Sequence, residues 1–266
     1  MVDKDKIMQS LKLYSTTTGT VTISDEGLVS CTGNVELKRK PKHEKLPVAF
    51  DRVSGYFGCW GNQLTTLEGA PQSVGGSFSC SGNQLTSLEH APKSVDGDVH
   101  CFHNQLTTLE GAPNSVSGNF WCNSNQLTTL EGAPTSVGGN FWCNSNQLIT
   151  LAHAPKSVVG DFDCSDNQLT TLEGAPQSVV GSFICINNKL TALEGMPDVQ
   201  GTLFLSYRRK LPLLRCLLAQ KVEFVPRQRN KTVQNILNKY VGKGKRAMFD
   251  CQKELEDAGF EENARW

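Results

Sequence analysis

From residue 53 to 199 apolar and polar positions follow a schedule of 21 residues, close to V-x-G-x-F-x-C-x-x-N-x-L-x-x-L-E-G-A-P-x-S. Cys59, Cys80, Cys101, Cys122, Cys143, Cys164 and Cys185 mark the period. Two residues before each cysteine stands Phe57, Phe78, Val99, Phe120, Phe141, Phe162 or Phe183, and three after stands an asparagine, from Asn62 to Asn188. The F-x-C alternation predicts a short strand with Phe and Cys inward and the intervening residue outward. So short a strand cannot bury its apolar side alone. Stacked copies can, and the fixed period therefore predicts a solenoid with a parallel sheet. Gly-Ala-Pro predicts an irregular turn, because proline has no N–H to offer a helix or a ladder. The asparagine column predicts an amide ladder at each bend.

The regular part is flanked by two segments that read as caps, 1–52 and 207–266, around a solenoid at 53–206. In the first, a short polar helix leads to GTVTI and GLVSC around Asp25-Glu26-Gly27, a hairpin signal. Val29 to Asn34 reads as a degenerate strand and asparagine turn, and because Cys31 precedes Cys59 by 28 residues the loop LKRKPKHEK is expected to add seven. In the second, GTLFLSY supplies a last strand with Leu203 and Leu205 inward, one residue early. Residues 210–221 predict a helix that closes the core, and 230–241 and 245–258 two more helices around Gly242-Lys243-Gly244. The fold class expected is an α+β repeat protein with a hairpin N-terminal cap and a helical C-terminal cap.

In this unit F-x-C-x-x-N-x-L fills the slots L-x-L-x-x-N-x-L, and the chain resembles leucine-rich-repeat proteins over somewhat more than half its length. The short unit is similar to the repeats of enterobacterial secreted effectors. In its wording, NQLTTLEGAP followed by VGG-x-F-x-C, it looks more like leucine-rich-repeat proteins of tailed bacteriophages, as does the tail ILNKYVGKGKRAMFDCQKELEDAGFEENARW. The resemblance implies a phage accessory protein in the host cytoplasm that binds or inhibits a host protein, a defence protein being one such target.

Charge changes the picture. The chain has 26 Lys+Arg and 26 Asp+Glu, but residues 51–200 hold 4 basic and 13 acidic side chains, a net of −9. Residues 207–249 hold 12 basic and one acidic, a net of +11. No apolar run approaches the roughly 18 residues of a membrane helix, and the charged N-terminus does not resemble a secretory signal. A soluble, cytoplasmic protein is expected. The cysteines form no C-x-x-C pair, so they read as small core residues, not zinc ligands. No G-x-S-x-G or H-E-x-x-H occurs. The cysteine ubiquitin ligase that some effectors carry needs more than the sixty or so residues after the repeats, and Cys251 lacks its C-x-D context. No enzyme and no cofactor is expected. His100, His103 and Asp98 could form a metal site, against the alternative of solvated surface.

The variable positions carry the functional information. Outward residues before each cysteine are Gly58, Ser79, His100, Trp121, Trp142, Asp163 and Ile184; those after are Trp60, Ser81, Phe102, Asn123, Asn144, Ser165 and Ile186. Trp121 and Trp142, on strands about 4.8 Å apart, are expected to stack with Phe102 diagonal to them. Trp60, His100, Phe102, His103, Trp121, Asn123, Trp142, Asn144, Asp161 and Asp163 are the candidate contacts for a protein partner. Self-packing of the rings is the alternative. Two further possibilities stay open: a glycan stacked on the tryptophans, and nucleic acid on Arg208, Arg209, Lys210, Arg227, Arg229, Lys243, Lys245 and Arg246.

Overall fold

The computed structural model describes residues 2–39, 44–225 and 230–266. It is a leucine-rich-repeat-like solenoid of 21-residue turns. Each turn contributes two short strands that meet at a glycine corner. One is a Ser-Val pair such as Ser136–Val137; the other is a Phe-x pair such as Phe141–Trp142. Each pairs in parallel with its counterpart one turn on, Ser136 with Ser157 and Phe141 with Phe162. A one-residue slip would turn every Phe outward, and the buried Phe column forbids it. Phe120, Phe141, Phe162 and Phe183 are fully buried and stack at 5.3–5.5 Å.

The corner glycine is a matter of room. A Cβ on Gly139 would lie 2.8 Å from the carbonyl carbon of Gly118 in the preceding turn. The residue after this corner glycine forms a polar column: Asp98 Oδ1 accepts the Asn119 N–H, Asn119 Oδ1 that of Asn140, and Asn140 Oδ1 that of Asp161. The third side of each turn has no strand and buries its leucines, Leu148 and Leu151 for example. It opens with the asparagine ladder. Asn146 donates through Nδ2 to the Cys122 and Cys143 carbonyl oxygens at 3.1 and 3.0 Å, and its Oδ1 accepts the Leu127 N–H at 3.0 Å. The residue before each of these asparagines (Gly61, Gly82, His103, Ser124, Ser145, Asp166, Asn187) has φ between 53° and 66°. Glycine and short polar residues occupy that column because they bear the left-handed conformation best.

All ten cysteines are buried and free. Burial pushes the Cys80 and Cys185 thiols up to about 12. Cys122 and Cys164 each donate Sγ–H to a carbonyl oxygen of the next strand at 3.4 Å. A thiol that stays protonated is a poor nucleophile and a poor metal ligand.

The ends differ from expectation in three places. The helix α1 (Lys4–Tyr14) and the hairpin Val21–Ile23 with Val29–Cys31 form as expected. Cys31, however, pairs with Val53 and not with Cys59, while Val35 pairs with Phe57 and Glu36 with Gly58. The offset is therefore 22 residues, not 28, and Asn34 belongs to the corner column, its Oδ1 accepting the Tyr56 N–H. Val35 and Leu37 alternate inward with Glu36 outward, so they fill the Phe and Cys slots better than Val29 and Cys31 do. Part of the loop LKRKPKHEK, residues 40–43, lies outside the described residues.

At the other end Leu203 and Leu205 are inward, one residue early as expected, within Asp198–Leu205. That strand is not the last. Residues 210–221 form no helix beyond a single tight turn, Leu214–Leu218, and Ala219–Phe224 adds another parallel strand. Pro212 denies a helix its N–H, and Val222 and Phe224 alternate inward against Leu203 and Leu205. Two helices follow as expected, α2 (Lys231–Tyr240) and α3 (Lys245–Asp257). From α2, Asn238 exchanges two hydrogen bonds with the backbone of Val222, and Gln234 Oε1 accepts the Phe224 N–H at 2.8 Å. Side chains thus occupy the open edge of the final strand, which would otherwise template another chain. Among the described residues no helix is long and apolar enough to cross a membrane.

Candidate protein-binding face

Strand parity places the outward side chains of the Phe-x strands in two rows. Across the first, His100 registers with Trp121, Trp121 with Trp142, Trp142 with Asp163 and Asp163 with Ile184. The His100 and Trp121 rings stack at 4.3 Å and 17°, and the Trp121 and Trp142 rings at 4.7 Å and 7°. Their spacing is that of the strands beneath them. Phe102, in the second row, stands 6.1 Å from His100 and 6.2 Å from Trp121, with His103 edge-on to it at 5.4 Å. The rings of His100, Phe102, Trp121 and Trp142 are half-buried, Phe102 tilted against the stack of the other three, while His103 is exposed. Asn123 and Asn144 flank them in the second row, also half-buried. The indole N–H of Trp121 and Nε2 of His100 are buried and have no hydrogen-bond partner among the described residues.

Burial holds the His100 imidazole below its ordinary value, against the pull of Asp98, whose Oδ2 lies 3.9 Å from Nε2. His103 belongs to the left-handed turn and packs on Phe102. Among the described residues no three His, Cys, Asp or Glu side chains gather as a metal site would require.

No family model, curated protein or solved structure matches the chain. The face therefore has to be judged on its own chemistry.

The candidate residues do not all meet. Trp60 lies two strands from Phe102, beneath the Arg39 guanidinium 3.5 Å from its ring, with its N–H donated to Glu36 Oε1 at 3.2 Å. It is engaged by the preceding turn. Between the two sits Tyr56, which sequence reasoning missed. A Cβ on Gly58 would lie 2.4 Å from the Tyr56 hydroxyl, so the ring lies over Gly58, and Ser79 and Ser81 on the next turn are buried. The signal was the run of small residues, Gly58, Ser79 and Ser81, beside one large one. Asp161 serves the corner column, its Oδ1 accepting the Ser182 N–H at 2.7 Å. Asp163 does join the face. Its Oδ1 accepts the Ser165 N–H at 2.9 Å, and burial raises its carboxyl above the ordinary value, with Asp166 and Asp161 adding to that rise.

The basic candidates sit on the C-terminal cap. Arg208 donates to the Asn188 carbonyl oxygen at 2.5 Å and so closes the asparagine ladder. Arg209, Lys210, Lys243 and Arg246 are exposed, and Lys245 opens α3. Arg227 and Arg229 lie outside the described residues.

Proposed function

We propose that this protein is a non-enzymatic binding module that grips another protein through the face of His100, Phe102, Trp121 and Trp142. The observation that carries the proposal is the continuous stack on the outward rows, half-buried and edged by polar side chains. Aromatic clusters of this kind anchor protein interfaces. Both faces of Trp121 are covered, by His100 and by Trp142, so a sugar or a base has no face of that ring to lie on. The acid residues of the repeats disfavour a phosphate chain at this face. That the partner is a host protein bound by a phage-encoded accessory follows from the resemblance in the wording of the repeats.

Capture from a bacterial host lysate tests the proposal, with wild type compared to a Trp121→Ala/Trp142→Ala variant. The wild type is expected to retain a protein that the variant loses, at equal folding by circular dichroism. Equal capture by both would place recognition elsewhere.

A further inference from the structure

The first outward row continues beyond Asp163 to Ile184 and Phe204, all in register. From His100 to Phe204 every member is large except Asp163. The rings repeat at the strand spacing, and the strands of Trp142 and Ile184 are two such spacings apart, about 9.6 Å. Between them stands one carboxylate. Register and side-chain size together imply room for one stacked layer, a slot above Asp163 between the Trp142 and Ile184 side chains. Among the described residues Trp142 stacks on Trp121 and on no other ring. The side turned to Asp163 therefore carries no ring from the described residues. Among the described residues, too, no lysine or arginine pairs with Asp161, Asp163 or Asp166.

We propose that the slot receives the guanidinium of an arginine presented by the partner protein, stacked on Trp142 and paired with Asp163. The inference rests on the protein-binding role of this face. Three physical demands select the occupant. It must be flat, because the slot admits one stacked layer. It must be cationic, because the Asp163 carboxylate, held by the Ser165 N–H, has two acidic neighbours and no cation beside it among the described residues. It must offer two parallel N–H groups along its edge to reach a carboxylate while its face lies on an indole. A guanidinium meets all three, whereas an ammonium is a compact, strongly hydrated point charge that meets one. An aromatic side chain would fill the slot and leave the carboxylate unpaired.

The probe is the blocked tripeptide acetyl-Gly-Arg-Gly-amide, titrated into the full chain and followed by the four indole N–H resonances. The Trp142 signal should shift and saturate with a dissociation constant of about 1–10 mM, the scale of a single well-placed side chain. The Trp60 and Trp266 signals should stay in place. The corresponding lysine and phenylalanine peptides should bind at least about fivefold more weakly. Asp163→Asn, which keeps the size of the side chain, should abolish saturation with the Trp60 signal unmoved as a check on folding. Unsaturable shifts, equal binding of the lysine or phenylalanine peptide, or undiminished binding to Asp163→Asn would overturn the assignment. So would salt-sensitive self-association that Asp163→Asn removes, since the occupant would then be a second copy of this chain. If the arginine peptide fails while Trp121→Ala/Trp142→Ala still loses a captured protein, the aromatic face stands and the arginine falls. If capture is also unaffected, both fall.

Discussion

Phe141 and Trp142 are neighbours in the chain and face opposite ways, the first fully buried, the second half-buried against Trp121. Phe141→Ala removes a ring from a continuous stack and should cost about 3–5 kcal/mol in urea unfolding. Trp142→Ala removes one stacked pair over a surface that stays folded, and should cost about 1 kcal/mol. Equal losses would show that the strand parity is wrong. Asp163 makes a contrasting prediction. Its carboxyl titrates above the ordinary 3.8 in the folded chain because burial disfavours the charge. The folded state therefore holds its proton more tightly than the unfolded state, and ionisation destabilises the fold. That penalty is absent below the unfolded value and complete above the folded one. Asp163→Asn should accordingly raise the melting temperature near pH 7, and the gain should vanish as pH falls toward 3.8. A gain that is constant with pH would point to packing and not to charge. A carboxylate kept at a cost to stability fits a residue retained for binding.

At the scale of elements, the turns and the edges carry the predictions. His90 and His153 take φ of 66° and 67° in a column otherwise filled by glycines such as Gly111, Gly132 and Gly174. His153→Gly should release left-handed strain and stabilise the protein by about 1 kcal/mol, measured by urea unfolding. Destabilisation would mean that the imidazole packs usefully. The far edge is closed by α2, and Gln234→Ala/Asn238→Ala would bare the N–H groups of Val222 and Phe224. Such a variant should associate through that edge and elute early in size exclusion; a monodisperse monomer would show that the helix shields the edge without those bonds. What the chain disclosed in advance follows the same division. The repeats were legible because every inward slot recurs at one spacing, and Phe, Cys, Asn and Leu each have a single environment to satisfy. The caps were not, because each occurs once. Cys31 carries the letter of the Cys slot but pairs with Val53, and the leucines of 210–221 fit a helix until the open strand Asp198–Leu205 offers Val222 and Phe224 a partner. The stack of Trp121 on Trp142 followed from parity, whereas the addition of His100 to it and the cover over Trp60 did not. Arg39 and Glu36 reach it from the preceding turn, whose register was hidden.

Over the whole molecule, a net of −9 in residues 51–200 faces a net of +11 in residues 207–249. The basic end invites phosphate, yet several of its cations already have work within the fold. Arg208 closes the asparagine ladder, Lys239 pairs with Glu254 at 2.6 Å, Lys221 pairs with Glu223, and Arg215 lies over the Trp266 ring at 5.1 Å. Arg209, Lys210, Lys243 and Arg246 are exposed, and side chains of that kind bind duplex DNA without regard to sequence. If all four reach phosphates, the affinity should fall about a hundredfold as salt rises from about 50 to about 200 mM. A partner held by the aromatic face draws on apolar burial and a half-buried pair, both screened far less, and should change little over that range. Fluorescence anisotropy on a labelled duplex, alongside the captured protein at the same salt steps, separates the two. Duplex binding that survives the salt and also survives Trp121→Ala/Trp142→Ala would move recognition from the acidic repeats to the basic cap.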